Sequence, residues 1–300
     1  MLHILQTALE LGFLYALVPM ALFLSFRILD IADMTTDGCF VLGTAVSVTM
    51  AAAGHPFLAV PAAMLAGICA GFVTAFQQTR LGVPSILAGI ITNMGLYTIN
   101  LMVMGWSANV SLLKTETIFS LLQKTGIGGD WYEALLAICV TVLAGALLVY
   151  FLGTRLGLSI RATGNNIDMV RASSINPTFT ITVGLCIANA LTALSGAMVG
   201  QYQNTAGIVV IGLACLIIGE TVLGRRGVAR GVIATVIGSI IYRFIYAIVL
   251  YTKIMPVQGL KLVTAVIVAL AIAFPTIRKW AAFQTRKNAA ARRKGGHGAC

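Results

Sequence analysis

Residues 132–199 read YEALLAICVTVLAGALLVYFLG, TRLGLSIRATGNNIDMVRASSINP and TFTITVGLCIANALTALSGAMV, with breaks after Gly153 and Pro177. The outer two stretches are apolar and long enough, at about 1.5 Å per helical residue, to cross a hydrocarbon core of roughly 30 Å. The middle stretch, 154–177, carries Arg155, Arg161 and Arg171 with the single acid Asp168. Lipid offers the backbone no hydrogen-bond partners, so the flanking stretches must satisfy themselves as helices. A mixed polar and apolar segment held between two spans reads as a docking surface.

The same texture extends over the chain. Its 300 residues are 59% hydrophobic and 10% charged, whereas soluble domains carry about 25% charged residues. Folded in water, such a chain would expose large apolar patches. The composition therefore predicts an all-α integral membrane protein. A barrel would need short alternating strands, and none is evident. Nine hydrophobic spans are predicted, at 8–28, 38–53, 57–76, 84–104, 132–153, 178–199, 206–223, 231–251 and 259–276. Gly54-His55-Pro56 reads as a tight turn and Gly82-Val83-Pro84 as a helix start, and a short surface helix is expected from Ser111 to Gln123. Gly67 and Gly71, like Gly196 and Gly200, form GxxxG pairs that let helix backbones approach.

The net charge of +11 does not point to nucleic acid. Residues 1–276 form the transmembrane domain, and 277–300 a basic tail expected to be disordered and juxtamembrane. Arg80, then Arg155, Arg161 and Arg171, then Arg225, Arg226 and Arg230 fall on the tail's side of the membrane. Lys114, Lys124, Lys253 and Lys261 fall on the other. Positive residues favour the cytoplasm, so a cytoplasmic C-terminus and an external N-terminus are expected. The first apolar run lacks the flanks of a signal peptide and reads as a retained span.

No chemistry of catalysis is legible. The six cysteines form no CxxC pair, and His3, His55 and His297 are scattered. Neither a metal centre nor a disulfide is expected. There is no GxxxxGK[ST] nucleotide loop.

Polar groups inside spans are costly and mark candidate function. Asn93, Tyr97 and Asn100 are spaced to share a face of the fourth span. Asn189, Thr192 and Gly196 do so on the sixth. Each stripe suits either a solute path or an interhelical seam. Arg243 lies within the eighth span and requires a carboxylate, carbonyls or water as partner, with Glu220 one candidate. Asp30, Asp33 and Asp37 would align on one helical edge, where three charges repel. One must face water or cap a helix. Asp37 suits an N-cap, and a broken helix is expected there. The translocation-path candidates are Asp33, Asp37, Asn93, Asn100, Asn189 and Arg243.

Arg161, Ala162, Gly164, Asn165, Ala172, Ile175 and Asn176 match the "RA.G.N...A...GI" pattern of a known coupling loop. The chain resembles the permeases of ABC importers of the branched-chain amino acid and ribose type. Ser174 stands where that pattern has glycine. Asp33-Met34-Thr35-Thr36-Asp37-Gly38 resembles a "DLSVG" stretch of the sugar permeases, with Asp37 departing from it. Gly224, Gly227, Gly231 and Gly238 echo a glycine-rich stretch interrupted here by arginines.

The resemblance implies the cytoplasmic membrane of a prokaryote, a cytoplasmic ATP-binding subunit that hydrolyses ATP, and an extracytoplasmic solute-binding protein. It implies a second permease, identical or paralogous, and no cofactor on this chain. A similar subgroup accompanies binding proteins for aromatic amino acids. Residues 164–175 would be the coupling helix, with Asn165 and Asn166 capping its start and Asp168 in its first turn. The coupling residues would be Arg161, Gly164, Asn165, Asp168, Met169, Ala172, Ser173, Ile175 and Asn176. The alternative, an ion-coupled carrier, would use Asp33, Asp37 and Arg243.

In a cysteine-free background, Arg161→Cys should resist a membrane-impermeant maleimide on intact cells and react after permeabilisation. Labelling on intact cells would reverse the orientation.

Overall fold

The computed structural model describes residues 2–107, 110, 112, 115–124, 131–203, 212–224 and 227–251. Every element among them is a helix. These are α1 (Leu2–Leu22), prolonged by a wide π-type turn over Phe23–Ile28, α2 (Thr36–Ala52), α3 (Pro56–Thr79), α4 (Ser85–Val103) and α5 (Ile118–Lys124). There follow α6 (Tyr132–Gly153), α7 (Arg155–Asn165), α8 (Ile167–Ala172), α9 (Pro177–Gln203), α10 (Gly212–Leu223) and α11 (Val228–Tyr251).

Six helices are long and apolar enough to cross a membrane: α1 with its π turn, α3, α4, α6, α9 and α11. The shorter α2 and α10 lie where two further spans are expected. The expected span 259–276 and the tail 277–300 fall outside the described residues. The surface helix begins later than expected, at Ile118. Thr117 and Ser120 set that start, because each backbone N–H donates to the other's hydroxyl, 2.8 and 3.2 Å.

Small residues place α9 at the centre. It packs on α2 and α3, and α1 packs on α11 and α9. A Cβ at Gly196 would run into the Phe40 carbonyl oxygen of α2, and one at Gly43 into the Ala193 carbonyl of α9. A Cβ at Gly67 would lie 2.6 Å from the Asn189 oxygen, and one at Gly71 2.7 Å from that of Leu185. Gly67, Gly71 and Gly196 therefore lie in near-contact with the neighbouring backbone, while Gly200 makes room for the Thr44 and Val48 side chains. At this range hydroxyls bridge the helices: Thr44 donates to the Gly196 carbonyl at 3.0 Å and Ser47 to that of Ala197 at 3.1 Å. Lipid is as apolar as leucine, so close packing and such bonds do the joining.

Bonds to the α1 backbone gather the rest. The hydroxyls of Ser195, Thr141 and Ser239 donate to the carbonyls of Leu14, Phe13 and Gly12, at 2.7, 2.8 and 2.7 Å. The outer faces of α3, α4 and α6 show Phe57, Leu65, Phe72, Ile90, Met94, Val142 and Leu147, the faces a bilayer would cover.

Gly196→Val should push α9 off α2 and destabilise the folded protein by about 3 kcal/mol. Gly153→Ala, with nothing within 4 Å of its new methyl, should be neutral. Thermal unfolding of the detergent-purified chain reads both, and equal midpoints would refute the seam.

Candidate functional site

Three groups of candidates are placed apart. The first is the hairpin of α7 and α8. Thr154 caps α7 by accepting from the Gly157 N–H at 3.3 Å. The expected single helix over 164–175 is two: α7 runs through Asn165, and α8 begins at Ile167. The Asn166 side chain stops one and starts the other, accepting from the Met169 N–H at 3.0 Å. Asp168 sits in the first turn of α8, where a negative charge suits the helix dipole. Gly164 and Asn165 thus belong to the last turn of α7 rather than to the start of α8.

The end of α8 shows why the family pattern carries glycine two residues past the helix. Ile175 N–H donates to the Val170 carbonyl at 3.2 Å and Ser174 N–H to that of Arg171 at 3.2 Å. This paired closure needs a left-handed residue at position 174. Ser174 adopts it, at φ 60°. Asn176 then starts α9, its side chain accepting from the Thr178 N–H at 3.0 Å, with Pro177 at the first helical position.

Val170 is buried and anchors α8, while Ile167 and Met169 face outward with Met169 59% exposed. Arg161, Asn165, Asp168, Arg171, Ala172, Ser173 and Asn176 are exposed, and Ile175 is half-buried. The Ser173 hydroxyl folds back to the Met169 carbonyl at 2.9 Å. Two braces hold the hairpin to the bundle. Thr163 and Thr180 share a hydrogen bond of 2.8 Å between α7 and α9. Gly164 lies so close to the Ile28 carbonyl that a side chain there would collide with it. Beside the brace a cavity of about 450 Å³ is lined by Arg27, Arg161, Asn165 and Glu220 among others.

The second group surrounds the break between the π turn and α2. The chain is not helical over Asp30–Thr35, so the three acids share no helical edge. Asp30 is exposed with φ 56°. Asp33 is buried and closes the turn that leads into α2, accepting from the Thr35 N–H at 2.9 Å, while the start of α2 has no side-chain cap, so the capping expected of Asp37 is not found. Asp37 is the second residue of α2, in its first turn and half-buried, because the helix begins at Thr36.

The other Asp33 oxygen accepts from the Asn189 side-chain amide at 2.8 Å. Asn100 donates to the Gly38 carbonyl at 3.2 Å, and Asn93 lies against the same glycine. Asp33, Asn93, Asn100 and Asn189 therefore converge on the start of α2. Tyr97 does not join them. It is 62% exposed. The sequence reading missed Thr35 and Thr74, whose hydroxyls meet at 2.9 Å, and Cys39, whose thiol donates to the Asn189 carbonyl at 3.3 Å. A threonine or cysteine inside an apolar run carries no signal that separates it from packing. Asn100 Oδ1 and Asn189 Oδ1 are buried without a hydrogen-bond partner.

Arg243 stands alone. Glu220 is not its partner: Glu220 pairs with Arg27 at 3.3 Å. Gly219 beside it packs on Ala234, more than two helical turns short of Arg243. The Arg243 guanidinium lies instead over the Tyr15 ring, 3.7 Å from its centroid.

Comparison with known proteins adds to this geometry. The family model described as branched-chain amino acid transport system / permease component matches residues 4–275. A tyrosine transport system permease protein of Clostridioides difficile (strain R20291) is 29% identical over 260 residues, 84% of this chain and 85% of that protein. The uncharacterized protein RP368 of Rickettsia prowazekii (strain Madrid E) is 30% identical over 281 residues, 90% of this chain and 97% of that one. A solved inward-facing structure of a putative metal-chelate type ABC transporter shares the fold, with a TM-score of 0.54 at 14% identity, covering 92% of this chain and 85% of that one. The chain belongs to the branched-chain amino acid transport system permease family and is an ABC transporter permease component.

Ser174→Gly should relieve the left-handed strain by about 1 kcal/mol and slow hydrogen exchange at the Ile175 amide roughly fivefold. Unchanged or faster exchange would refute the strain.

Proposed function

We propose that this permease is the membrane-spanning subunit of an ATP-driven importer of a small solute, an amino acid, in the cytoplasmic membrane of a prokaryote. A separate cytoplasmic ATP-binding subunit supplies the energy. An extracytoplasmic solute-binding protein delivers the solute, and a second permease, identical or paralogous, completes the pathway. The solute class rests on the relative named for tyrosine transport.

One observation carries the reading. The α7–α8 hairpin turns two apolar side chains, Ile167 and Met169, outward between exposed Arg161 and Arg171. Soluble ends of membrane proteins gain nothing from a capped, six-residue helix that shows its apolar side to water. An apolar groove on a partner gains a great deal.

The links from that hairpin define how a push would travel. The Thr163–Thr180 bond couples α7 to the first turn of α9. The Gly164 contact couples α7 to the π turn at the end of α1. Motion of α9 against α2 would part Asn189 from Asp33 and open the polar cluster at the start of α2. That cluster then lines the solute's path in one state and closes it in the other.

Met169→Glu and Ala172→Glu alter exposed positions and should insert normally. Each would bury a charge against the partner and lower both ATPase co-purification and ATP-driven uptake at least about tenfold. Normal uptake in both variants would overturn the reading. Uptake that survives ATP depletion and collapses with an ionophore would replace it with the ion-coupled carrier.

A further inference from the structure

We propose that Arg243 binds the carboxylate of the transported solute, an inference that rests on the importer reading above. Arg243 is 7% exposed and lies within a membrane-spanning helix. Its Nε and Nη2 have no hydrogen-bond partner. Those two nitrogens form one side of the guanidinium fork, and their N–H bonds point the same way. That edge matches the two oxygens of a carboxylate. A guanidinium kept in lipid for structure alone is expected to pair with an acid or with backbone carbonyls, and Nε and Nη2 have neither. Among the described residues the ion pairs involve Arg27, Lys124 and Arg171 instead.

The surroundings suit an aromatic or apolar amino acid. The guanidinium rests on Tyr15 at 3.7 Å and approaches Tyr246 at 5.8 Å, which steadies the cation and leaves Nε and Nη2 without partners. Tyr15 stacks on Phe40, one turn beyond the start of α2. Gly212 of α10 packs against Val18, one turn along α1 from Tyr15. The site is closed over in this conformation, as a carboxylate site on an alternating path is during part of its cycle.

The full-length purified chain tests the site with benzoate and its neutral isostere benzamide. Benzoate should raise the unfolding temperature of the wild type by roughly 2–4 °C at saturating concentration, and benzamide should not. Arg243→Gln should abolish the difference. Arg243→Lys, which keeps the charge and loses the fork, should weaken it at least about fivefold in half-saturating concentration. Equal shifts from both probes on the wild type, or a benzoate shift unaltered in Arg243→Gln, would overturn the assignment. A second arm measures ATP-driven uptake of mixed radiolabelled amino acids by the chain with its ATPase and binding protein. Uptake without a benzoate–benzamide difference overturns the carboxylate site alone. A benzoate difference with no ATP-driven uptake overturns the importer reading and leaves the anion site standing.

Discussion

The structure depends on backbones touching. Where α9 meets α2, the carbonyl oxygen of Phe40 occupies the space a side chain at Gly196 would fill. The same holds in the other direction at Gly43 and Ala193. Hydrophobic burial cannot select this arrangement, because lipid is an equally good solvent for apolar side chains. Dispersion between close-packed surfaces and short hydroxyl-to-carbonyl bonds must do so. Glycine is what lets them form.

That proximity sets up the polar chemistry. An asparagine on α9 can reach Asp33 only because α2 and its preceding segment lie against α9. The resulting cluster is connected but incompletely satisfied, with Asn100 Oδ1 and Asn189 Oδ1 left without partners. In low dielectric an orphaned oxygen favours any rearrangement or ligand that gives it a donor. Rigidity therefore lies in the glycine seams, and the readiness to change lies beside them in the asparagines. The hairpin is braced to this system at Thr180 and Ile28, at the ends of the two helices that bound the cluster.

Much of this was legible in the residues. Apolar length gave the helices, the GxxxG pairs gave the seams, and Asn166 with Asp168 gave the start of α8. The failures have physical causes. Tyr97 was grouped with Asn93 and Asn100 because helical spacing reports a shared side without saying what that side faces. The buried side of α4 is instead marked by Ala88, Thr92 and Leu96. Asp37 was given the capping role because it precedes the apolar run from Gly38. The helix starts two residues earlier, at Thr36, so Asp37 falls within its first turn. Glu220 was paired with Arg243 by the reasoning that opposite charges meet. A tyrosine ring can serve a cation as well, and nothing in an apolar run announces it. The departure at Ser174 looked like drift from a pattern, yet it keeps the backbone geometry that glycine would make easy.

The wide turn over Phe23–Ile28 has one more consequence. Such a turn holds a surplus residue relative to an ordinary helix, since the Leu29 N–H reaches back to the Leu24 carbonyl, five positions away. If that slack is drawn in, everything beyond it swivels by about 100°, one residue's step around the helix axis. What lies beyond is the strand of chain bearing Asp33, and what touches the turn is Gly164. The hairpin thus meets the first membrane helix at the place where that helix holds a residue to spare.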